Sequence, residues 1–357
     1  MNFMFFDATR EWSGGANRLF LFSRELIRRG HKVVVCTLPD NEMSNRLTEE
    51  EIPFFTIEPR SDVNLLVLPL ILAKIREYEI DFVDIHSPKF YWLGTFAARV
   101  AGKPVTITRN VPFRKTGIKR KLNRFLYSLL ADRVLAISDK IKRELLEDYH
   151  LDSKKVDVIY DGLETAKFDL PQQPRDRSMV IVGVASRLVF GKGLECFIES
   201  IPDVVEHVPE SRFVVAGAGP LEDILKKRVG ELKLENRVTF TGFRADIPKL
   251  FNAFDITVVP SPEEGMSMSA LESMASGRPV VATSGGGLVD IISSMETGVI
   301  VAPNDPASLA AGVVSLLRAD YQAIGNKAKQ LVREKFELER VVDRFESLST
   351  VMVGPPC

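Results

Sequence analysis

Residues 256–283 read ITVVPSPEEGMSMSALESMASGRPVVAT, and their order decides the fold. The β-branched run 256–259 has the length of a buried strand, 267–276 has the composition of a short helix, and 279–282 is a second strand. Gly277 sits where a helix ends and the chain turns back. Strand, helix and strand joined by short loops form a crossover unit, which places the two strands parallel. Outward from this unit the alternation continues. Strands are predicted at 179–184, 212–216, 237–240 and 298–301, and helices at 192–207, 220–232, 246–252, 287–293 and 306–318. A final helical stretch, 322–350, is long enough to have two parts. Upstream, a first series has strands at 2–6, 32–37, 53–57, 82–86, 104–108, 133–137 and 156–159. Its helices are expected at 14–29, 64–78, 90–101, 118–130 and 138–149, with Gly30 closing the first of them. The two series are separated by Asp161 to Ser178, a polar stretch with Pro171 and Pro174 that reads as a linker. The fold class is therefore α/β, with two Rossmann-like domains at 1–165 and 166–335.

A length of 357 residues exceeds one ordinary core and fits two domains. Apolar content of 45% with 27% charged residues is globular, and a net charge of −1 offers no global attraction to nucleic acid. Cys36, Cys196 and Cys357 are odd in number and far apart, which points to a reducing cytoplasm and not to a disulfide framework. The first residues, MNFMFFD, lack the basic start and apolar length of a signal peptide, and the run 63–75 is broken by Pro69. None of His31, His86, His150 and His207 has metal-ligand spacing to another or to a cysteine. Asp81 and Asp84 are too far apart for a D-x-D site, so no metal is assigned.

Open parallel sheets bind ligands beyond the carboxyl ends of their strands, which singles out the loops there. After the first strand, Gly14 and Gly15 open a helix whose N-terminal amides suit a phosphate or a sugar; a plain tight turn reads equally well. After 179–184 comes GVASRLVFGKG, in which Arg187 and Lys192 lie near a helix start, where two cations and free N–H groups suit a diphosphate; the plain alternative for each is a solvated surface charge. It is not a Walker A loop, because Gly183 and Gly191 are too far apart and Gly193 stands where Ser or Thr is needed. Gly217 and Gly219 make a turn that lets a ligand approach the backbone, and Phe240-Thr-Gly-Phe243 ends a strand where main-chain groups can meet a base; both features permit a ligand without being diagnostic of one. In the opening stretch, Glu264 follows a buried strand and Glu272 lies one turn into the next helix. The amides of Met266, Ser267 and Met268 lie between them, available to an anion or a sugar hydroxyl. Ser269-Ala-Leu-Glu272 also has capping-box spacing, so Glu272 reads equally as a cap and as a ligand.

The E-x7-E of Glu264 and Glu272, in this order with SRLVFGKG, GAGP, FTGFRADIPKLF, SGGGLVDII, VIYDGLE and WSGGANRLF, resembles the retaining GT-B glycosyltransferases of family 4, also called group 1. The resemblance runs from about residue 5 to the final helix. It implies two Rossmann-like domains facing across a cleft, with a C-terminal helix, 336–357, packed back on the first. It also implies hexosyl transfer from a nucleotide diphosphate sugar, UDP-linked in the first instance, with no cofactor and no metal. The residue roles it implies follow. Arg187 and Lys192 neutralise the leaving diphosphate, and Glu264 holds hydroxyls of the transferred sugar, assisted by amides of Met266, Ser267 and Met268. Glu272 binds the ribose, and Gly14 and Gly15 approach the phosphate from the first domain. His86, in VDIHSPKF, matches the family's histidine near the reaction centre. One departure stands out: Asn110, in TITRNVPFRK, occupies a position where many members carry His or Arg. Retention without a positioned nucleophile fits a transition state stabilised by the leaving diphosphate, so no pair of glycosidase carboxylates is needed.

Between Arg109 and Arg124 the chain carries Arg109, Arg114, Lys115, Lys119, Arg120, Lys121 and Arg124 and no acid, interleaved with Phe113, Ile118, Leu122, Phe125, Leu126 and Leu129. A basic amphipathic helix fits an anionic membrane surface or an anionic acceptor. The plain alternative is a solvated basic face whose apolar side is core. The first reading makes the protein a peripheral enzyme of the cytoplasmic leaflet, working on a glycan or lipid-linked acceptor in lipopolysaccharide or other cell-surface polysaccharide synthesis. Phosphorylases and nucleotide-sugar epimerases share the fold, and a sugar-binding protein without turnover is the alternative from another class.

Overall fold

The computed structural model describes residues 1–58, 65–110, 117–171 and 178–354. It contains two separate parallel sheets. The first has β1 (Asn2–Phe6), β2 (Lys32–Thr37), β3 (Phe54–Thr56), β4 (Phe82–Ile85), β5 (Val105–Arg109), β6 (Arg133–Ala136) and β7 (Val156–Val158), in the order β3-β2-β1-β4-β5-β6-β7. The second has β8 (Val180–Ala185), β9 (Ser211–Ala216), β10 (Val238–Gly242), β11 (Ile256–Val259), β12 (Val280–Thr283) and β13 (Gly298–Val301), in the order β10-β9-β8-β11-β12-β13. All thirteen strands lie where the sequence predicts them, within two residues. Central strands covered by helices on both faces lose the polar alternation of a half-exposed strand, which is why β1 is the apolar run NFMFF with four of its residues buried. Strand order reverses between β1 and β4 and between β8 and β11, so each sheet has its crevice there.

The chain divides into two units, one of Met1–Gly162 with the chain from Leu338 onward, the other Leu163–Glu337. The long terminal stretch is indeed two helices, Tyr321–Phe336 and Leu338–Val353. The break at Glu337 has extended backbone, and Leu163 N–H donates to Phe336 O at 2.8 Å. The last helix belongs to the first unit because of what its apolar face carries. The Phe345 ring lies 5.6–6.0 Å from those of Phe3, Phe5, Phe22 and Phe82, and all five are fully buried. Arg29 ties the same helix from outside through Asp343 (2.6 Å) and Glu346 (2.9 Å).

Two elements differ from the sequence reading. Glu42–Glu49 is a helix that periodicity did not reveal, since only Met43, Ser44 and Leu47 of it are buried. Its local signal is the reciprocal cap of Asn41 and Ser44. The helix expected at 287–293 is only a 3₁₀ turn, Gly287–Asp290. A Cβ on Gly285 would fall 1.6 Å from Pro262 O, so this segment is pinned against the loop after β11 and cannot wind freely.

Candidate active site

In the second unit, four loops meet beyond the strand ends, and glycines seat them. Gly193 has φ +69° and precedes the helix Leu194–His207; a Cβ there would stand 2.0 Å from Pro260 O, in the loop after β11. A Cβ on Gly217 would stand 1.8 Å from Ser186 O, and one on Gly219 2.4 Å from Leu188 O. The space beside Gly217 and Gly219 is thus filled by the loop after β8. These glycines permit backbone-on-backbone packing, where the sequence reading had them admit a ligand.

This packing carries Lys192 to Glu264. Lys192 Nζ lies 2.6 Å from Glu264 Oε1, with side chains 25% and 20% exposed. The main chain of Glu264 is held in turn, since Gly287 N–H donates to Glu264 O at 3.1 Å. Arg187 is exposed, on the loop that follows β8. Phe243, after β10, is 77% exposed, so its ring is open to solvent.

Glu272 lies in the helix Met268–Ala275, and the structure excludes the capping-box reading. The N-cap is Ser267, whose hydroxyl accepts from Ala270 N–H at 3.4 Å. The helix therefore begins two residues too early for Ser269 and Glu272 to form a capping box. Met266 and Ser267 are buried at this start, and Met268 is the first helical residue. Glu272 is half-buried, and desolvation pushes its pKa up to about 8 from an ordinary 4.5. A group whose folded pKa is raised contributes its stability in full below about pH 4.5 and loses it as pH rises to about 8. Glu272→Gln should therefore raise the melting temperature by a few degrees at pH 8.5 and hardly at all at pH 5, a difference of roughly 1 kcal/mol or more. Differential scanning fluorimetry at the two pH values checks this; an equal shift at both would refute it.

In the first unit, Gly14 and Gly15 open the helix Gly14–Arg28, whose N-cap Ser13 accepts from Ala16 N–H at 3.2 Å. Gly15 lies against Asn110, where a Cβ would be 2.9 Å from Nδ2. The same amide donates to His86 O at 3.2 Å. Gly15, His86 and Asn110 thus meet at the β1–β4 crevice. The His86 side chain is fully buried with Nε2 2.9 Å from Asp84 Oδ2, and neither Nε2 nor Nδ1 meets hydrogen-bond geometry with a partner among the described residues. Behind them lie Asp7, whose hydroxyl partner is Thr9 (2.7 Å), and a buried Arg18 bonded to Tyr160 O and Asp161. Sequence reasoning missed Asp84, Arg18 and Asp161. Only Asp84 had a local signal, two residues before His86 on an otherwise apolar strand.

The basic segment splits. Arg109 is 4% exposed, bonded to Tyr127 Oη at 3.0 Å and close to the Tyr149 ring, so it does not reach the surface with its neighbours. Burial raises the Tyr127 hydroxyl above its ordinary pKa, although the arginine pulls it back. Arg114 and Lys115 lie outside the described residues. Lys119 and Arg120 are exposed on the helix Gly117–Phe125. Of the apolar residues between the cations, Leu126 is buried and Phe113 lies outside the described residues, but the others are not core: Ile118 is 74% exposed, Leu122 49%, Phe125 47% and, one turn on, Leu129 65%. The residue turned inward is Asn123.

Among the described residues no group of three or more His, Cys, Asp or Glu side chains is placed to hold a metal ion, and no helix is long and apolar enough to cross a membrane.

Comparison with known proteins agrees with this architecture. Residues 12–167 match the family described as Glycosyltransferase Family 4, and residues 179–319 match Glycosyl transferases group 1. A glycosyltransferase of Methanocaldococcus jannaschii is 26% identical, with 88% of each chain covered. The UDP-Gal:alpha-D-GlcNAc-diphosphoundecaprenol alpha-1,3-galactosyltransferase of Escherichia coli is 27% identical, over 82% of this chain and 80% of that one. In structure, a glycosyltransferase of Rickettsia africae superposes with a TM-score of 0.89 at 22% identity, covering 99% of both chains. HepE of Anabaena, crystallised with UDP, gives 0.86 at 21% identity over 98% of this chain and 100% of that one.

Proposed function

The chain is a glycosyltransferase of the GT-B type, and on that premise we propose that it is a retaining, metal-independent family 4 enzyme transferring a hexose from a UDP sugar. The observation that carries this reading is the Lys192–Glu264 pair at 2.6 Å, set at the switch point of the second sheet with Arg187 on the same loop as Lys192. A cation that neutralises a departing diphosphate must stand beside the carboxylate that holds the sugar, because the bond that breaks joins the two. Lys192 then exchanges Glu264 for a phosphate oxygen as the donor enters, and Arg187 shares the diphosphate charge. Glu272, uncapped and partly desolvated, accepts from the ribose hydroxyls. His86, with Gly14 and Gly15, belongs to the reaction side of the first unit. The amides at the start of Met268–Ala275 receive sugar hydroxyls. The UDP assignment is supported by the E. coli relative, named for UDP-Gal, and by HepE crystallised with UDP.

The test is a melting-temperature screen over UDP, GDP and ADP sugars, followed by turnover with the stabilising donor and NMR of the product. Binding only to the folded state raises the melting temperature. A UDP sugar should give the largest shift, the product should keep the donor's anomeric configuration, and EDTA should leave the rate unchanged. An inverted product, or transformation of the donor without any acceptor, sinks the reading; the latter would indicate an epimerase.

The acceptor side of the proposal is a lipid-linked glycan at the cytoplasmic face of a membrane, in lipopolysaccharide or related polysaccharide synthesis. It rests on the outward stripe Ile118, Leu122, Phe125 and Leu129, bordered by Lys119, Arg120, Lys121 and Arg124. An exposed apolar stripe flanked by cations matches the interface of an anionic bilayer, and the E. coli relative is named for a lipid-linked acceptor. In flotation with vesicles containing phosphatidylglycerol, the protein should rise with the lipid at low salt. Leu122→Glu with Phe125→Glu should abolish this while leaving the melting temperature within about 2 °C, since both side chains are about half exposed. Failure of the wild type to float at low salt would remove the membrane from the proposal.

A further inference from the structure

We infer that Asp84 is a positioning residue for His86: it keeps the imidazole proton on Nε2 and leaves Nδ1 as a bare acceptor facing substrate. This rests on the placement of His86 on the reaction side.

The geometry begins in the sheet. β4 and β5 pair in parallel with Asp84 beside Thr106, so Thr108 follows two residues on along the same face of β5. Both hydroxyls therefore converge on the Asp84 carboxylate. Thr106 Oγ1 donates to Oδ1 at 2.8 Å, and Thr108 Oγ1 lies 2.9 Å from each oxygen. A strand buried on both faces would normally carry apolar residues at all three positions. Here they make one polar group with no exposure to water.

Burial by itself would raise the pKa of Asp84. His86, the hydroxyl of Thr106 and the buried charge of Arg18 more than offset this and hold the carboxyl below its ordinary range. Arg18 reaches the group from the helix Gly14–Arg28, anchored by Tyr160 O and Asp161. The carboxylate is thus an anion with two hydroxyl donors, and the next polar atom it meets is Nε2 of His86, at 2.9 Å.

An anionic oxygen at that distance demands a proton on Nε2, and in a neutral imidazole this leaves Nδ1 with its lone pair. The rest of His86 is held just as firmly. Its N–H donates to Phe6 O at 2.9 Å, its carbonyl accepts from Asn110, and the Phe5 ring stands edge-on at 5.7 Å. Neither ring nitrogen meets hydrogen-bond geometry among the described residues, but Nε2 has the Asp84 carboxylate 2.9 Å away and Nδ1 has no such charge beside it. A buried acceptor without a donor is unfavourable unless a ligand supplies one. A hydroxyl of the transferred sugar or of the acceptor has the required chemistry.

Two-bond ¹H–¹⁵N NMR on the wild-type protein at neutral pH reads the tautomer directly, with only four histidines to assign. His86 should show a protonated Nε2 and a bare Nδ1. In turnover, Asp84→Asn should lower kcat by about tenfold or more while the donor KM stays within about twofold. The double variant with His86→Ala should be no slower than His86→Ala alone, because both changes remove one device. A protonated Nδ1 in the wild type, or losses that multiply in the double variant, would overturn the proposal. If Asp84→Asn does not fold, Thr108→Val tests the same carboxylate and should shift His86 toward a mixture of tautomers; an unchanged His86 spectrum there counts against it. Full activity of His86→Ala would refute the placement of His86 itself, and the wild-type tautomer would still decide what Asp84 does.

Discussion

The Glu264→Ala variant is expected to lose on the order of 10²–10³ in kcat/KM, about 3–4 kcal/mol of transition-state stabilisation. On the proposed reading the carboxylate holds the sugar as its bond to the diphosphate breaks, and in the free protein it is held by Lys192 at 2.6 Å. Folding should hardly change. Both side chains are about one-quarter exposed or less, and an ion pair at such a partly solvated site contributes roughly 1 kcal/mol or less. A large loss of rate with a melting temperature within about 3 °C of wild type therefore separates a role in the reaction from a role in the fold. Lys192→Ala should lose a comparable amount, and the two losses should not multiply, because each removal leaves the partner without its working charge. Steady-state rates of the two single variants and the double variant test this. Glu264→Ala at full activity with a nucleotide sugar bound would overturn the assignment.

Phe345→Ala carries the largest expected effect on stability, about 3–5 kcal/mol. Phe345 is fully buried, and its ring touches four others contributed by β1, β4 and the helix Gly14–Arg28. Truncation removes apolar contact and leaves a cavity that two sheet strands cannot collapse to fill. The melting transition of the first unit should fall by roughly 10 °C, at about 2–4 °C per kcal/mol for a unit of this size. The surface ties from Arg29 to Asp343 and Glu346 should matter less, since Asp343 is 64% exposed and water competes for it. Urea unfolding of Phe345→Ala beside Asp343→Ala gives the comparison. Equal, small losses would mean that charge and not packing keeps the last helix in place.

Much of this was legible in the chain because the signals are local. An apolar run of four to six residues between turn-formers is a strand wherever the topology puts it, and all thirteen strands follow from that rule. Lys192 and Glu264 were readable as candidates because each stands in a loop after a strand, and such loops gather at one end of a parallel sheet. The helix Glu42–Glu49 escaped because its buried face is only three residues, too few to show a period.

Other facts required the tertiary structure. Periodicity says that Ile118, Leu122, Phe125 and Leu129 share a face of their helix; only the packed molecule says that this face stays about half or more open, with the Trp92 ring stacked beside Phe125. Arg109, read from the same basic run, is drawn inward because the Tyr127 hydroxyl waits for it across the fold. Asp84 gains its meaning from hydroxyls 22 and 24 residues away, Arg18 from a carboxylate 143 residues away, and Lys192 from one 72 residues away. Chain composition cannot measure those distances, because they are set by which strands lie side by side. Glu264 and Glu272 show both halves of this. The sequence by itself determined that two carboxylates flank a helix start, since strand, loop and helix follow from local chemistry. Whether Glu272 caps that helix depended on where its first turn closes. Ser267 closes it, and the carboxylate does not cap because a side chain five residues past the cap is beyond reach of the first amides.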